Sequence, residues 1–218
     1  MIKTFASPPK NNYFAPEWRF DFYETNLNDL QLIDEIRQLI LHKEQEIIQT
    51  HPTVTHDGGT GLGPDSLTAR FPFFNIFNWT EEPIIKFQEF VRENYYNFLK
   101  EVNVEQQPVY IGCWANVMRF GQRIQPHWHS CFADSYVGGH FIVATENTST
   151  LYQNPHNPNE QFIFENKPGS LTFFPSYLMH WTNAYFGNSE RITIAFDIVT
   201  ENYIKKFPEH AGNYIKFD

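Results

Sequence analysis

After Gln107 the chain becomes a succession of short apolar runs rich in aromatic and β-branched residues: VYIGCWANVMRF, YVGGHFIVAT, TLYQ, QFIFE, SLTFFP, HWTNAYF and RITIAFDIV, each closed by turn-forming residues. Runs of this length and composition read as strands. Many of them at fairly even spacing fold into a sandwich or a barrel. The preceding half has a different period. From Asn28 to about Gln49 the apolar residues Leu30, Leu32, Ile33, Ile36, Ile40, Ile47 and Ile48 recur at helical spacing, with Asn28 or Asp29 as the cap. A second helix is expected from Glu81 or Glu82 to Val102, on Ile84, Ile85, Phe87, Phe90, Val91, Tyr95, Phe98 and Leu99, with Thr80 as a plausible cap.

Residues 1 to 24 read as an extended arm lying on the domain, and HPTVTHDGGTGLGPDS, residues 51 to 66, as a connector or a mobile lid. The expected architecture is therefore α+β and mainly β. An arm and helical support region, 1–106, packs on a β core with a C-terminal tail, 107–218, in one integrated domain.

The core should be built from rings, because 22 of the 218 residues are Phe. A formal charge of −9 gives no global attraction to nucleic acid or to anionic membranes, so neither is an expected partner. No apolar run approaches the length of a membrane helix, and MIKTFASPPK lacks the apolar segment of a signal peptide, which points to the cytoplasm. Two cysteines, Cys113 and Cys131, are too few for a disulfide framework; both are expected as thiols, with Cys131 close enough to a histidine to be a conceivable metal ligand.

The chemistry begins at QPHWHSCFAD, residues 125 to 134. On a strand His127 and His129 would face one side and Trp128 the other, a geometry able to chelate. Two exposed polar residues are the bland alternative. A third histidine, His180, opens a later strand after the buried run Leu171 to Phe174, and three histidines on neighbouring segments suit facial coordination of a divalent metal. Eleven residues on, Arg191 heads RITIAFDIV, where Arg191, Thr193, Ala195 and Asp197 share one face. A buried arginine needs an anion. That anion is either Asp197 or Glu190 in the protein, or the carboxylate of a ligand, which the planar guanidinium suits and Thr193 could assist.

The order HxH, distal His, then RxT resembles the iron(II)- and 2-oxoglutarate-dependent oxygenases, whose double-stranded β-helix carries an HxD/E…H metal triad followed by a carboxylate-binding arginine. The closer likeness is to small members with an HxH, a PGxLxxFPSxxxH segment and an RIxIxF strand, over residues 108 to 200. The resemblance implies a jelly-roll, cupin-like barrel with the N-terminal helices packed on it. It further implies Fe(II) on His127 and His180, 2-oxoglutarate as cosubstrate bound by Arg191 with Thr193 and Asn116, and O2 as oxidant. The expected activity is hydroxylation of a peptidyl residue, such as proline, or of a small metabolite.

The departure is His129, which stands where the wider family has Asp or Glu; either His129 or Asp134 completes the metal site. The loop from Ser130 to Val137 is longer than in those relatives, and His56 and Asp57 could touch substrate. Two other readings stay open. One is a cupin-type metal-dependent dioxygenase or isomerase without 2-oxoglutarate, which has no use for Arg191, and the other is a non-catalytic β-barrel binding module.

Overall fold

The computed structural model describes residues 1–130 and 133–218, so Cys131 lies outside the described residues. All seven anticipated runs form strands: β3 (Val109–Met118), β4 (Val137–Ala144), β5 (Ser149–Asn154), β6 (Asn157–Glu165), β7 (Ser170–Pro175), β8 (His180–Thr182) and β9 (Arg191–Thr200). The N-terminal segment is more than an arm. It makes an antiparallel pair, β1 (Ile2–Ala6) and β2 (Arg19–Asn26), and β2 joins the sheet by pairing with β7, Tyr23 opposite Phe173. The reason is legible in RFDFYETN: Phe20 and Phe22 alternate with polar residues and meet Phe162 and Phe164 in an aromatic cluster.

A seven-stranded sheet has the order β1-β2-β7-β4-β9-β3-β10, where β10 is Ile215–Lys216, and a three-stranded sheet has the order β6-β5-β8. The two sheets enclose a double-stranded β-helix whose far end is plugged by Phe22, Tyr152, Phe162, Phe164 and Phe174. Its near end is left to polar side chains.

The outer face of the large sheet is covered by α1 (Leu30–Thr50) and α2 (Glu82–Glu101). Ile36, Ile40 and Ile47 of α1 and Ile84, Phe87, Val91 and Tyr95 of α2 share one core with Ile111, Cys113 and Ala115 of β3 and Ile194 and Phe196 of β9. Asp29 caps α1, its side chain accepting from the Leu32 amide at 3.0 Å. The start of α2 differs from expectation. Glu81, not Thr80, is its cap residue, with no side-chain bond, and Pro83 takes the first turn, where its missing N–H costs nothing. Leu30 is 75% exposed and Ile85 47% exposed, because each sits at the edge of its helix's apolar stripe, turned from the sheet. A short third helix, α3 (Glu201–Lys206), follows β9, and no helix among the described residues is long and apolar enough to cross a membrane.

The ring of Phe87 is wholly buried, 4.7 Å from that of Phe141, so Phe87→Ala is expected to cost about 3–5 kcal/mol. Loss of the cap in Asp29→Ala is expected to cost about 1 kcal/mol. Urea unfolding of the two variants checks the order; equal losses would show that burial of the Phe87 ring contributes no more than one helix cap.

Candidate metal and carboxylate site

Period two divides the large sheet. With Ile192, Ile194, Phe196 and Ile198 against the helices, Arg191, Thr193, Ala195 and Asp197 of β9 must turn into the barrel. Strand register then sets their neighbours: Asn116 of β3 lies opposite Thr193, and His140 of β4 opposite Ala195. The two histidines 127 and 129 do not sit on a strand. They belong to the connection between β3 and β4, held by an isolated bridge in which His127 and His180 exchange backbone hydrogen bonds at 3.1 and 2.9 Å and by the His129 amide, which donates to the Ser176 carbonyl at 3.2 Å. The outcome for the side chains is the one alternation gives on a strand, with Trp128 47% exposed between two inward histidines.

His127, His129 and His180 form a group whose candidate ligand atoms lie within 4.8 Å of one another. Each ring has its Nδ1 engaged: His127 with the Gln125 carbonyl at 2.9 Å, His180 with the Leu178 carbonyl at 3.0 Å, and His129 with Asp197 Oδ1 at 2.6 Å. Every Nε2 is thereby the nitrogen left for an ion, and neutral imidazoles fixed by a partner on the other nitrogen are ordinary ligands for a divalent transition metal. The donor set fits. Burial, then the neighbouring His129, pulls the His127 imidazole down to about 4, and the same two causes with His127 hold His180 well below its usual range. The proton therefore leaves these nitrogens free at neutral pH.

Arg191 is the second feature. It is 1% exposed, donates from Nε to Thr148 Oγ1 at 3.1 Å and from Nη1 to Met118 Sδ at 3.3 Å, and pairs with no carboxylate among the described residues. Both acids the sequence offered are engaged elsewhere, Glu190 with Arg37 and Asp197 with His129. Burial lowers the guanidinium to about 10, still charged at neutral pH. A buried guanidinium without a carboxylate carries a desolvation cost that an anion would offset, and Arg191 lines a cavity together with the three histidines, Asn116 and Thr193. Asn116 donates to Thr193 Oγ1 at 3.4 Å and accepts from Thr68 at 2.9 Å, so the polar wall is tied together.

Asp134 is placed away from this cluster, its carboxylate on Lys206 Nζ at 2.6 Å. Cys113 is buried on the helix side of β3, and burial raises its thiol well above the ordinary value. The glycine-rich loop brings Asp57 to the site, but His56 only caps the Gly58 amide. Burial would raise the Asp57 carboxyl, yet the amides of Gly63, Gly59 and Gly61 outweigh it and hold the group below its usual range. That carboxylate folds the loop, in which Gly58, Gly59, Gly61 and Gly63 all take positive φ, and the Thr60 carbonyl then accepts from the Gln125 amide at 2.7 Å beside His127.

Sequence reading missed His140, which lines the same cavity inside GGHFIV and is pulled down to about 3 by burial, then by Arg191 and His129. It missed as well that Asp197 serves His129, although its two-residue spacing from Ala195 already pointed it inward.

A second, adjoining cavity shares His127 and His129 with the first and is lined by Asp57, Thr68, Phe71, Trp114, Trp128 and Asp197 among others, with no Lys or Arg among the described residues.

Residues 138–197 match the model of a family described as "Putative 2OG-Fe(II) oxygenase"; they contain His140, His180, Arg191 and Asp197, and begin after His127 and His129. No curated protein matches the sequence. Among solved structures, the chain is similar to a prolyl-4-hydroxylase from Pseudomonas putida, with a TM-score of 0.58 and 10% identity over 83% of this chain and 92% of that one. It is similar also to the nickel complex of the non-heme monooxygenase ThoJ, at 0.57 and 8% over 82% and 73%. A third likeness is to the 2-oxoglutarate complex of a collagen prolyl hydroxylase from Paramecium bursaria Chlorella virus-1, at 0.51 and 12% over 82% and 96%. At these identities the structures speak for the fold, a double-stranded β-helix shared with these oxygenases.

His127, His140 and His180 refuse protons that the unfolded chain accepts near pH 6.5, so the unfolded state binds more protons as pH falls. The metal-free protein is expected to be at full stability above pH 6.5. It should lose about 1.4 kcal/mol per pH unit for each such histidine towards pH 4. Denaturant unfolding at pH 7.5 and pH 5 measures this; a flat profile would mean these rings are charged in the folded state.

Proposed function

We propose that this protein is an Fe(II)- and 2-oxoglutarate-dependent oxygenase that hydroxylates a peptidyl residue, such as proline, or a small metabolite. One observation carries the reading: a fully buried arginine with no carboxylate partner among the described residues lines the same cavity as three histidines whose Nε2 atoms are free. A metal site alone explains the histidines but not the arginine. A keto diacid, one end for the metal and one for Arg191, explains both.

In this reading His127, His129 and His180 hold the iron, and Arg191 holds the distal carboxylate of 2-oxoglutarate by a charge-assisted pair. Thr193 lies on the same strand face and Asn116 fixes its hydroxyl, so the carboxylate meets an ordered polar wall. His140, kept neutral beside Arg191, adds a polar edge without a competing charge. Trp114 and Ile124 close the cavity with apolar surface and limit water. Bound together, iron and 2-oxoglutarate supply oxidative decarboxylation of the keto acid, so that substrate C–H, 2-oxoglutarate and O2 become substrate C–OH, succinate and CO2.

The second, adjoining cavity is the place for the primary substrate. Its rings and carboxylates favour a neutral or cationic target group over an anionic one. With the chain's charge of −9, nucleic acid is no part of this reading. Two cysteines, one of them a buried thiol, suit a cytoplasmic protein.

Anaerobic titration of the metal-free protein with Fe(II) and then 2-oxoglutarate tests the proposal through the visible charge-transfer band of the iron–keto acid chelate. The wild type is expected to show the band and to lose it as succinate forms on admitting O2. His180→Ala is expected to abolish iron binding. Arg191→Met, which keeps the apolar stem, is expected to retain iron but weaken 2-oxoglutarate by about 2–5 kcal/mol. Iron bound without a band, or an Arg191→Met variant of unchanged affinity, would return the barrel to the cupin reading.

A further inference from the structure

We propose that Asp197, acting through His129, supplies the carboxylate charge that the histidine-only metal site lacks. The inference rests on the metal site assigned above and concerns the position at which this chain departs from the HxD/E pattern.

Of the three candidate ligands, two lean on neutral groups, the carbonyls of Gln125 and Leu178, and one leans on an acid. The one on the acid is His129, at the position where the wider family places its own carboxylate. The contact is short, 2.6 Å, and nearly closed to solvent, with the His129 side chain 5% and the Asp197 side chain 15% exposed. It is also built into the sheet. Asp197 lies opposite Gly112 of β3 on one side and Gly138 of β4 on the other. A methyl group at Gly138 would stand 3.3 Å from His129 Nδ1 and 3.0 Å from the Phe174 ring, and one at Gly112 would press on Tyr214 at 3.1 Å. Two side chains are thus absent on either side of the one acid, and His129 occupies part of the space. Trp114 and Phe174 then flank its ring at 5.5 and 5.9 Å.

Charge balance gives the arrangement its purpose. A divalent ion, a doubly negative keto acid and Arg191 leave one positive charge in a buried cavity, which the usual carboxylate ligand cancels. Here the ligand is neutral, and Asp197 stands one hydrogen bond further out. A carboxylate on Nδ1–H fixes the tautomer, orients the ring and makes Nε2 a stronger donor. Among the described residues, His129 is the one cationic or potentially cationic group that Asp197 contacts in an ion pair. Asp197 is therefore a positioning residue for the metal rather than a member of a separate salt bridge.

The test is the affinity of the metal-free full chain for Co(II), a spectroscopic stand-in for Fe(II), in four proteins: wild type, Asp197→Asn, His129→Asp and the double variant. Asparagine keeps the shape and the accepting oxygen but not the charge. Asp197→Asn is expected to weaken Co(II) binding by about 10–100-fold. In the His129→Asp background the effect should fall well below its wild-type factor. The ligand then carries its own carboxylate and has no Nδ1–H for Asp197 to accept, so the route through the ring is gone. A merely structural contact would lower affinity by the same factor in both backgrounds, and that result overturns the proposal, as does an Asp197→Asn protein within twofold of wild type. If wild type itself takes up no Co(II), the metal site and the oxygenase reading fall together; if wild type binds and Asp197→Asn binds equally, only the role of Asp197 falls.

Discussion

Strand β9 is hydrogen-bonded on both sides, to β3 and to β4, and this pins every one of its side chains to one of two faces. A slip of one residue would carry Ile192, Ile194, Phe196 and Ile198 into the polar cavity and Arg191 and Asp197 into the helix-covered core. The hydrophobic contacts of the even positions with α1 and α2 therefore fix the chemistry of the odd ones. The site is a by-product of burial on the opposite face, and the two cannot be altered independently.

The same logic explains why the barrel is polar at one end. Phenylalanines from β2, β6 and β7 plug the far end, so the cavity is confined to the region between β8, β9 and the segment carrying His127 and His129. Within it, desolvation acts on the ionisable groups in a consistent direction. His127, His140 and His180 are held neutral and Arg191 stays charged, so the cavity sets unprotonated imidazoles beside a guanidinium. The glycine-rich loop, folded around the Asp57 carboxylate, packs beside His127 through the Thr60–Gln125 hydrogen bond.

The match over residues 138–197 runs from β4 to β9, which supply His140, His180 and Arg191 to this cavity, while the likeness to solved oxygenases concerns the fold as a whole. His127 and His129 lie ahead of the matched residues, and Asp197, which touches His129, is the last of them.

Much of this was written in the sequence. Seven strand-like runs, two helical stripes, the shared inward face of Arg191, Thr193, Ala195 and Asp197, and the third histidine at the start of a strand all follow from periods of 2 and 3.6, which are local properties of the backbone. What the sequence left open was partnership. Asp197 or Glu190 could each have answered Arg191, Asp134 could have joined the histidines, and residues 1–24 could have lain on the domain without pairing. Only the tertiary structure sends Glu190 to Arg37, Asp134 to Lys206 and Asp197 to His129, and adds β1 and β2 to the sheet edge. Side-chain partners are decided by which distant strands lie side by side, and that register is set by the whole core at once rather than by any stretch of residues within it.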